Sequence, residues 1–328
     1  MKRKILTFVS VLIALSSMAF AQGSSEATYP AKDIEVIVNA ESGGGTDAIN
    51  RKIISIIEKQ HKGQTLYVTN NGATEANGPY QVMIAKPDGY RIGSMTYGSV
   101  VGSVYFNLIP QYDLNKLNIF AMLTQESDAV MVRNDSPIKT WQNLIDAAKA
   151  NPGKVRIGGA NAGSRTSLVI SQIESIYGID VNEVQYIGSS TQKEALLNGE
   201  VDAIITSLGD LNSLLASGQV RGIVEFSMVQ NKAYPTVPTI ASLGHPEIQC
   251  ASFILMCAPK DTPQNVIDTL TAYYKEAAET KEFQDWVVSI GVSPVWKSGA
   301  AVQEYVNTVQ ITAFKLLDDM VAKGLLKR

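Results

Sequence analysis

The chain has 328 residues, of which 45% are hydrophobic and 18% charged, with 28 Lys and Arg against 31 Asp and Glu. The length predicts about two domains with a core each, and the composition excludes a largely disordered chain. A formal net charge of −3 argues against nucleic-acid binding, which needs a basic surface. It does not exclude an anionic small ligand, since backbone N–H groups bind a carboxylate on an acidic protein.

The first 28 residues predict an exported protein. Three basic residues at positions 2–4 precede an apolar run at 5–15, which is too short to span a bilayer. Ala-Phe-Ala at 19–21 is the small-x-small pattern of a signal peptidase site, so residues 1–21 are expected to be a signal peptide cleaved after Ala21. Residues 22–28 then form a polar, flexible spacer. The alternative, a buried N-terminal helix, does not suit the flanking cations and this spacer.

Apolar strands alternate with amphipathic helices through the first third of the remaining chain. Ile49, Ile53, Ile56 and Ile57 have helical spacing, and Lys-Pro-Asp-Gly at 86–89 is a turn. The predicted strands are 34–38, 66–69 and 90–96, and the predicted helices are 46–60 and 75–85. This βαβαβ order is typical of a mostly parallel sheet with helices on both faces.

A second α/β unit follows, and then a tail predicted to be helical throughout. The predicted strands are 129–132, 155–158, 183–187, 202–206, 221–226 and 253–258. The predicted helices are 141–150, 164–177, 191–198, 263–279, 282–290 and 299–324. A tail without strands must cover a sheet made elsewhere, and the N-terminal sheet is available.

The tail therefore predicts a discontinuous first domain. Residues 29–123 and 252–328 form domain one, and residues 124–251 form domain two. We expect an α/β, two-lobed periplasmic-binding-protein fold, in which each lobe is a mostly parallel sheet flanked by helices. Two strands that cross between the lobes would act as a hinge, and the ligand cleft lies between the lobes.

Cys250 and Cys257 are the two cysteines, and they lie in a predicted strand. Their odd spacing places the side chains on opposite faces, which argues against a disulfide between them. We interpret both as small buried residues. Two cysteines alone do not make a metal site, and we expect neither metal nor cofactor.

Short motifs recur in a specific order along the chain. They are Tyr29-Pro30, Gly43-Gly-Gly-Thr-Asp47, Ala85-Lys-Pro-Asp-Gly-Tyr90, Asn151-Pro-Gly-Lys154, Tyr186-x-Gly188, Leu197-x-Gly-x-Val-Asp202, Pro235-x-Val-Pro-Thr239 and Ala258-Pro-x-x-Thr-Pro263. In this order the chain resembles the substrate-binding family of tripartite tricarboxylate transporters, the Bug proteins, over nearly its whole length after the leader. The motif positions occupied by Ile187 and by 70–73 depart from the family pattern.

The resemblance implies a soluble, periplasmic, monomeric receptor rather than an enzyme. Such a receptor captures a small organic carboxylate and delivers it, by transient contact, to integral-membrane permease subunits. Di- and tricarboxylates, aromatic acids and acidic amino acids are the candidate ligands. The family holds the carboxylate mainly through backbone amides, hydroxyls and bridging waters.

The first candidate site is the loop between the first strand and the first helix. Its glycines allow a tight turn that points N–H groups at a ligand, and the helix adds its positive end. A turn with a helix cap is the alternative, and Asp47 fits a cap at least as well as a ligand contact. Glu41, just before this loop, is expected to face solvent. The loop residues are Ser42, Gly43, Gly44, Gly45, Thr46 and Asp47.

The second candidate site is the loop at 161–167, which offers amides and hydroxyls before the next helix. Arg165 either binds a carboxylate with both ends of its guanidinium or is solvated, and Ser164 either binds the ligand or caps the helix. The candidate residues here are Gly163, Ser164, Arg165, Thr166 and Ser167.

Two other strand ends are expected to face the same cleft. Tyr97 either walls the site or is partial core, and Asp210 either contacts the ligand or caps the next helix. The candidate residues at these ends are Thr96, Tyr97, Gly98, Ser99, Ser207 and Asp210.

An enzyme is disfavoured by the residues themselves. Neither His61 nor His245 lies in a pattern that would ligate a metal or activate a nucleophile. The chain has no G-x-S-x-G after a strand, which disfavours a hydrolase. A receptor for another transporter type, or a ligand sensor, is the alternative function, since two-lobed receptors share a fold.

Overall fold

A computed structural model describes residues 29–63, 65–72, 74–160, 163–186, 189–324 and 326. The predicted signal peptide and spacer lie outside the described residues, as do Asn161 and Ala162 of the second candidate loop and the motif positions Ile187 and Gly188.

The predicted βαβαβ unit begins the described chain. It consists of β1 (Ile34–Val38), α1 (Gly45–Gln60), β2 (Leu66–Asn70), α2 (Asn77–Met83) and β3 (Arg91–Met95). β1 pairs in parallel with both β2 and β3. Two short helices follow, α3 (Tyr97–Val100) and α4 (Gly102–Tyr105).

The next strand is much longer than predicted. β4 spans Leu117–Arg133, 17 residues, whereas the sequence predicted only 129–132. Its first half is nearly all buried, so it lacks the alternation that marks a strand with one exposed face. Gln125, Glu126 and Ser127 resemble a loop by composition, but the backbone stays extended through them.

The second α/β unit extends from α5 to β8. Its elements are α5 (Trp141–Ala150), β5 (Arg156–Gly159), α6 (Arg165–Tyr177), β6 (Asn182–Gln185), α7 (Ser189–Asn198), β7 (Ala203–Ser207), α8 (Asn212–Ala216) and β8 (Val220–Glu225). β5 is parallel to β6 and β7.

The tail contains a strand that the sequence analysis missed. Its elements are β9 (Ala251–Pro259), α9 (Gln264–Ala278), α10 (Lys281–Ser289), β10 (Ser293–Ser298) and α11 (Ala300–Ala322). The prediction of helices alone after β9 was therefore wrong. β10 pairs antiparallel with β4 at an irregular register, and Pro294 made the segment look like a loop.

The strands form one continuous, mixed assembly. β9 runs antiparallel to both β3 and the first half of β4. β7 and β8 run antiparallel to the second half of β4. On each side of β4 the sheet is therefore mixed, whereas the sequence predicted a mostly parallel sheet. The parallel strands on each side join antiparallel strands around β4. The predicted α/β class is confirmed.

Side-chain packing follows the same division except at Leu168 of α6, which shares a core with residues of β3, β9 and α11. Ile34 and Ile53 of the N-terminal unit share one core with Leu270, Tyr274 and Phe283 of the tail. Separate cores are made within residues 129–250. We propose that residues 29–123 with 252–328, and residues 124–251, are the two lobes.

Both cysteines are buried, and neither forms a disulfide. Cys257 lies within β9, whereas Cys250 immediately precedes it and contacts Asp128. Within the described residues, every helix is too short or too polar to cross a bilayer.

Candidate functional site

The predicted site loops all follow strands that end where β4 and β9 pass between the lobes. Met95, the last residue of β3, pairs with Leu255, in the middle of β9. Ser207, the last residue of β7, pairs with Asp128 of β4. Because β1 is parallel to β3 and β5 is parallel to β7, the four carboxyl ends meet at this boundary. Clefts outside such strand ends are where α/β proteins bind ligands.

Two cavities occupy the boundary. The first, about 420 Å³, is lined by the 43–46 loop, Glu126, Asp210 and Trp286, among others. The second, about 440 Å³, is lined by Thr46, 96–98 and 163–165, among others. Thr46 and Ser252 line both, so the two cavities adjoin. Most of the predicted site residues therefore lie around one cleft.

The glycine loop has a fixed shape and leads directly into the first N–H groups of α1. Gly43 has a φ of 84°, the left-handed region that glycine adopts without strain, and Gly44 is the N-cap of α1. Residues 42–45 are exposed, and 43–45 line the first cavity. The first N–H groups of a helix have no acceptor within it, so α1 presents donors and partial positive charge to the cleft.

Asp47 stabilises this loop through hydrogen bonds on the side away from the cleft. Its carboxylate accepts hydrogen bonds from the Gly43 amide at 2.8 Å, from Arg51 Nε at 2.9 Å and from Asn70 Nδ2 at 2.8 Å. Burial by itself would raise the pKa of Asp47, but these hydrogen bonds together lower it. The side chain is 3% exposed, so Asp47 shapes the loop instead of facing the cleft.

A polar network beneath the β3 end was missed by the sequence analysis. Asn39 Nδ2 donates to Thr96 Oγ1 at 3.0 Å and to Ser99 Oγ at 2.9 Å. Thr96 Oγ1 donates to a carboxylate oxygen of Glu75 at 2.7 Å, and Ser99 Oγ donates to the Glu75 carbonyl at 2.6 Å. Thr96 and Ser99 therefore hold the loop, while Glu75 and Asn39 line the second cavity. The polar Asn39 directly after a buried strand was the available signal.

Tyr97 and Gly98 lie between Thr96 and Ser99 in the chain and also contact the second cavity. Tyr97 lines the second cavity, and its ring lies 6.1 Å from that of Phe253 in β9, so it is both a wall and part of the core. Burial raises the pKa of the Tyr97 hydroxyl. A Cβ atom at Gly98 would lie 1.9 Å from Glu75 Oε2, so only glycine lets Glu75 take this position.

The lobe-two loop uses its hydroxyls mainly to start α6. Ser164 is the N-cap and accepts from the Ser167 amide at 3.3 Å. Thr166 Oγ1 accepts from the Ala160 amide at 2.8 Å, and Ser167 Oγ donates to Glu183 at 3.2 Å. Thr166 and Ser167 are buried, whereas Gly163, Ser164 and Arg165 line the second cavity.

Arg165 is already paired. Its Nη2 lies 3.0 Å and its Nε 2.5 Å from the two carboxylate oxygens of Asp128, whose side chain is 0% exposed. Cys250 Sγ donates to the same carboxylate at 3.0 Å. Burial would lower the pKa of Arg165, but the charge of Asp128 and the hydrogen bonds to it raise it. Arg165 thus links the cleft loop to Asp128 of β4 and to Cys250 before β9, and it is paired although its side chain is 32% exposed.

The sequence comparisons decide the family. The profile described as tripartite tricarboxylate transporter family receptor matches residues 49–316. The chain belongs to this family. Among curated proteins, Protein BugT of Bordetella pertussis (strain Tohama I) is 28% identical over 296 residues, which cover 89% of this chain and 90% of BugT.

Solved structures show the fold of this receptor. A TctC solute-binding protein from Polaromonas has a TM-score of 0.79 at 24% identity, with 89% of this chain and 100% of that chain covered. R. palustris Rpa4515, solved with adipate, has a TM-score of 0.71 at 22% identity, with 88% and 97% covered. The fold is that of two-lobed periplasmic binding proteins, and the protein is a receptor rather than an enzyme. Nowhere in the described part of the receptor do three or more His, Cys, Asp or Glu gather as a metal site.

Glu126 is a further site residue that the sequence did not reveal. It lies on β4 inside the cleft and accepts a hydrogen bond from Ser207, whose hydroxyl also accepts from the Asp210 amide at 3.2 Å. Burial raises the pKa of Glu126 to about 7; Asp210 and Asp128 add to the rise, while Ser207 and Arg165 oppose it. Glu126 reaches the cleft because β4 crosses the boundary between the lobes, and no local motif predicts that crossing.

The lobes of the receptor touch directly beside this carboxyl. Asp210 accepts from Thr206 Oγ1 at 2.7 Å and stays exposed toward the cleft. The preceding residue, Gly209, faces Ile290 and Gly291 of the other lobe: a Cβ atom at Gly209 would lie 2.6 Å from the Ile290 carbonyl oxygen. The backbones therefore meet without side chains between them.

Proposed function

We propose that this receptor is exported to the periplasm and captures a small carboxylate between the 43–46 loop of lobe one and the 163–165 loop of lobe two. It then delivers the carboxylate to a transporter of the tripartite tricarboxylate type. The observation that carries the proposal is the convergence of two helix N-termini, α1 and α6, on one cleft. Unpaired amides and the helix dipoles favour an anion there.

Two further considerations support the carboxylate. Ser164 adds a hydroxyl at the mouth of the second cavity. The R. palustris protein of the same fold holds adipate. A ligand that touches both lobes favours the closed form through its extra contacts, so that binding and closure are one equilibrium. The closed form is what the membrane subunits would recognise.

Calorimetry on Gly44 variants tests the site. Gly44 has extended backbone (φ −75°, ψ 169°), and an added Cβ would meet only the Glu41 carbonyl, at 3.4 Å. Valine therefore fits the turn but occupies cleft space. The valine side chain should keep the ligand carboxylate from the amides at the start of α1, which should weaken binding about ten- to a hundredfold.

A thermal-shift panel of di- and tricarboxylates, aromatic acids and amino acids first identifies the ligand, since saturating ligand stabilises the folded state. Gly44→Ala is the graded control and should lose less affinity than Gly44→Val. Equal affinity in a folded Gly44→Val protein would place the site elsewhere. We also propose that the receptor is a monomer, which light scattering with and without ligand checks.

A further inference from the structure

A cavity larger than either cleft cavity lies on the outer side of lobe two. It measures about 750 Å³ and is lined by the starts of α5 and β8, the end of α6 and the 236–245 segment. Tyr177 belongs to this lining and ends α6, a helix of 13 residues that begins at the cleft loop, so this part of the cavity lies about 20 Å from that loop. The lobe-two groove is therefore separate from the proposed ligand site.

Two cations are held together in this groove. Lys139 Nζ and Arg221 Nη2 donate to the same oxygen, the Asn134 carbonyl, at 2.7 and 3.4 Å, so the two nitrogens are at most about 6 Å apart. Arg221 Nε also donates to the Asn134 side-chain oxygen at 2.8 Å. Asn134 is uncharged, so it does not offset the charges of this cation pair. Two like charges this close repel, and one shared anion would relieve the repulsion.

The carboxylates nearest to the cation pair have other partners. Asp135 pairs with Arg133 at 3.1 Å, and Glu247 Oε1 lies 2.9 Å from His245 Nδ1. Within the described residues, neither member of the cation pair forms an ion pair, and no Asp or Glu lines the groove. The groove is therefore a positive surface on a chain whose formal net charge is −3.

The rest of the lining is largely aromatic and apolar. Trp141 Nε1 donates to the Tyr177 hydroxyl at 3.0 Å, and the rings of Tyr177 and His245 lie 4.7 Å apart, so these rings hold one another in place. Leu243, also in the lining, is 42% exposed. Arginine, aromatic rings and apolar side chains together are typical of protein–protein interfaces, whereas a small free anion needs only the cations.

We propose that the lobe-two groove docks an acidic segment of a partner protein, whose carboxylates bind Lys139 and Arg221 and whose apolar side chain packs on Leu243. The partner is a periplasmic loop of the transporter's membrane subunits, so the inference rests on the proposed function. Charge complementarity supports it, because a positive groove on an acidic protein orients an acidic partner toward this one face.

Docking at this groove does not depend on the state of the cleft. Every lining residue belongs to residues 124–251, so lobe closure leaves the groove unchanged, and a ligand in the cleft lies too far away to compete. The groove therefore contributes equally to docking with and without ligand, and a preference for the closed form must come from other contacts.

Biolayer interferometry tests the groove with the full receptor and with the membrane subunits encoded beside its gene, held in nanodiscs. Lys139→Glu should weaken docking at least about tenfold, because it replaces attraction of the acidic loop by repulsion, and by the same factor with and without ligand. Raising the salt from about 50 to about 300 mM should weaken docking of the unaltered receptor more than docking of Lys139→Glu, since exposed charges are screened.

Two further variants separate charge from packing. Lys149→Glu is the matched control, because it makes the same charge change at an exposed residue in the last turn of α5, outside the groove, and it should dock like the unaltered receptor. Leu243→Ser should weaken docking about three- to tenfold and keep the salt dependence, because it removes only apolar contact. All three positions are exposed, so the variants should fold normally, which circular dichroism checks.

The outcomes separate this inference from the proposed function. Calorimetry should give each variant the ligand affinity of the unaltered receptor, which shows that the cleft is intact. Equal docking of Lys139→Glu and Lys149→Glu, or no docking of a receptor that binds its carboxylate, would overturn the docking groove and leave the carboxylate receptor standing. If no carboxylate binds, the proposed function fails, whereas docking of the ligand-free receptor that Lys139→Glu removes would still support the groove.

Other occupants give different results. Self-association of the receptor that Lys139→Glu abolishes would assign the groove to a second copy of the chain. Inorganic phosphate that binds in calorimetry and is lost in Lys139→Glu, without docking of the membrane subunits, would make the groove a small-anion site. Either result would overturn the proposed partner.

Discussion

The contact between Gly209 and the end of α10 gives a direct test of how the lobes close. Gly209 does not have a positive φ, so alanine suits its own backbone. The added methyl group would nevertheless lie 2.6 Å from the Ile290 carbonyl oxygen. Because the obstacle is backbone, no rotamer change can relieve it. Gly209→Ala should therefore hold the lobes apart at this point.

The magnitude follows from the geometry. Ordinary van der Waals contact begins at 3.4 Å, so the lobes must separate here by about 0.8 Å. Overpacking of this kind costs about 1–3 kcal/mol. Since each lobe has its own core, the cost should fall on the closed form and not on folding. We expect ligand affinity to drop about five- to 150-fold.

Calorimetry with the ligand from the panel and chemical unfolding of the ligand-free protein measure the two effects. Gly218→Ala is the opposing control. Gly218 has a φ of 69° and open space around its Cβ position, so alanine there should cost about 1–2 kcal/mol of folding stability without reaching the other lobe. If Gly209→Ala lowers stability and leaves affinity intact, the clash is absorbed within one lobe and the reasoning is wrong.

Three further predictions concern the Arg165–Asp128 ion pair, Asp47 and the signal peptide. Arg165→Met should lower the free energy of unfolding by about 3 kcal/mol, because it leaves buried Asp128 without its cation. Adding Asp128→Asn should restore most of this free energy. Urea titrations that show no such rescue would contradict a stabilising role of the ion pair. Asp47→Asn should cost about 2 kcal/mol at neutral pH. Because the folded pKa of Asp47 is lowered, its stabilisation is present above the ordinary value and lost as pH falls through the folded value, so the variant should unfold with a shallower acid dependence. Mass spectrometry of exported protein should find Gln22 as the first residue, and intact Met1 in that fraction would exclude cleavage.

The elements that local signals specify were predictable from the sequence. The glycine loop follows a short apolar strand and precedes a helix with isoleucines at helical spacing, so its place needed no tertiary information. The start of α6 at Ser164 was predictable for the same reason, because Ser is a favoured N-cap.

The rest depends on contacts between distant segments. Asp128 and Arg165 are 37 positions apart, and no spacing rule links them. Thus the sequence left Arg165 undecided between ligand contact and solvent. Glu126 looked like part of a polar loop because a charged residue in the middle of a buried strand is rare. β10 was missed since proline is common outside strands, although an irregular edge pairing tolerates it.

The two buried thiols have a practical consequence. With Cys250 and Cys257 enclosed and unpaired, folding requires no oxidation, so a leaderless version should fold equally well in a reducing cytosol. Burial also raises the pKa of both thiols, which keeps them unreactive. A single cysteine placed at exposed Ser213, three residues after cleft-lining Asp210, would then be the one thiol that a maleimide dye labels. The receptor is thereby suited to become an optical sensor for its own ligand.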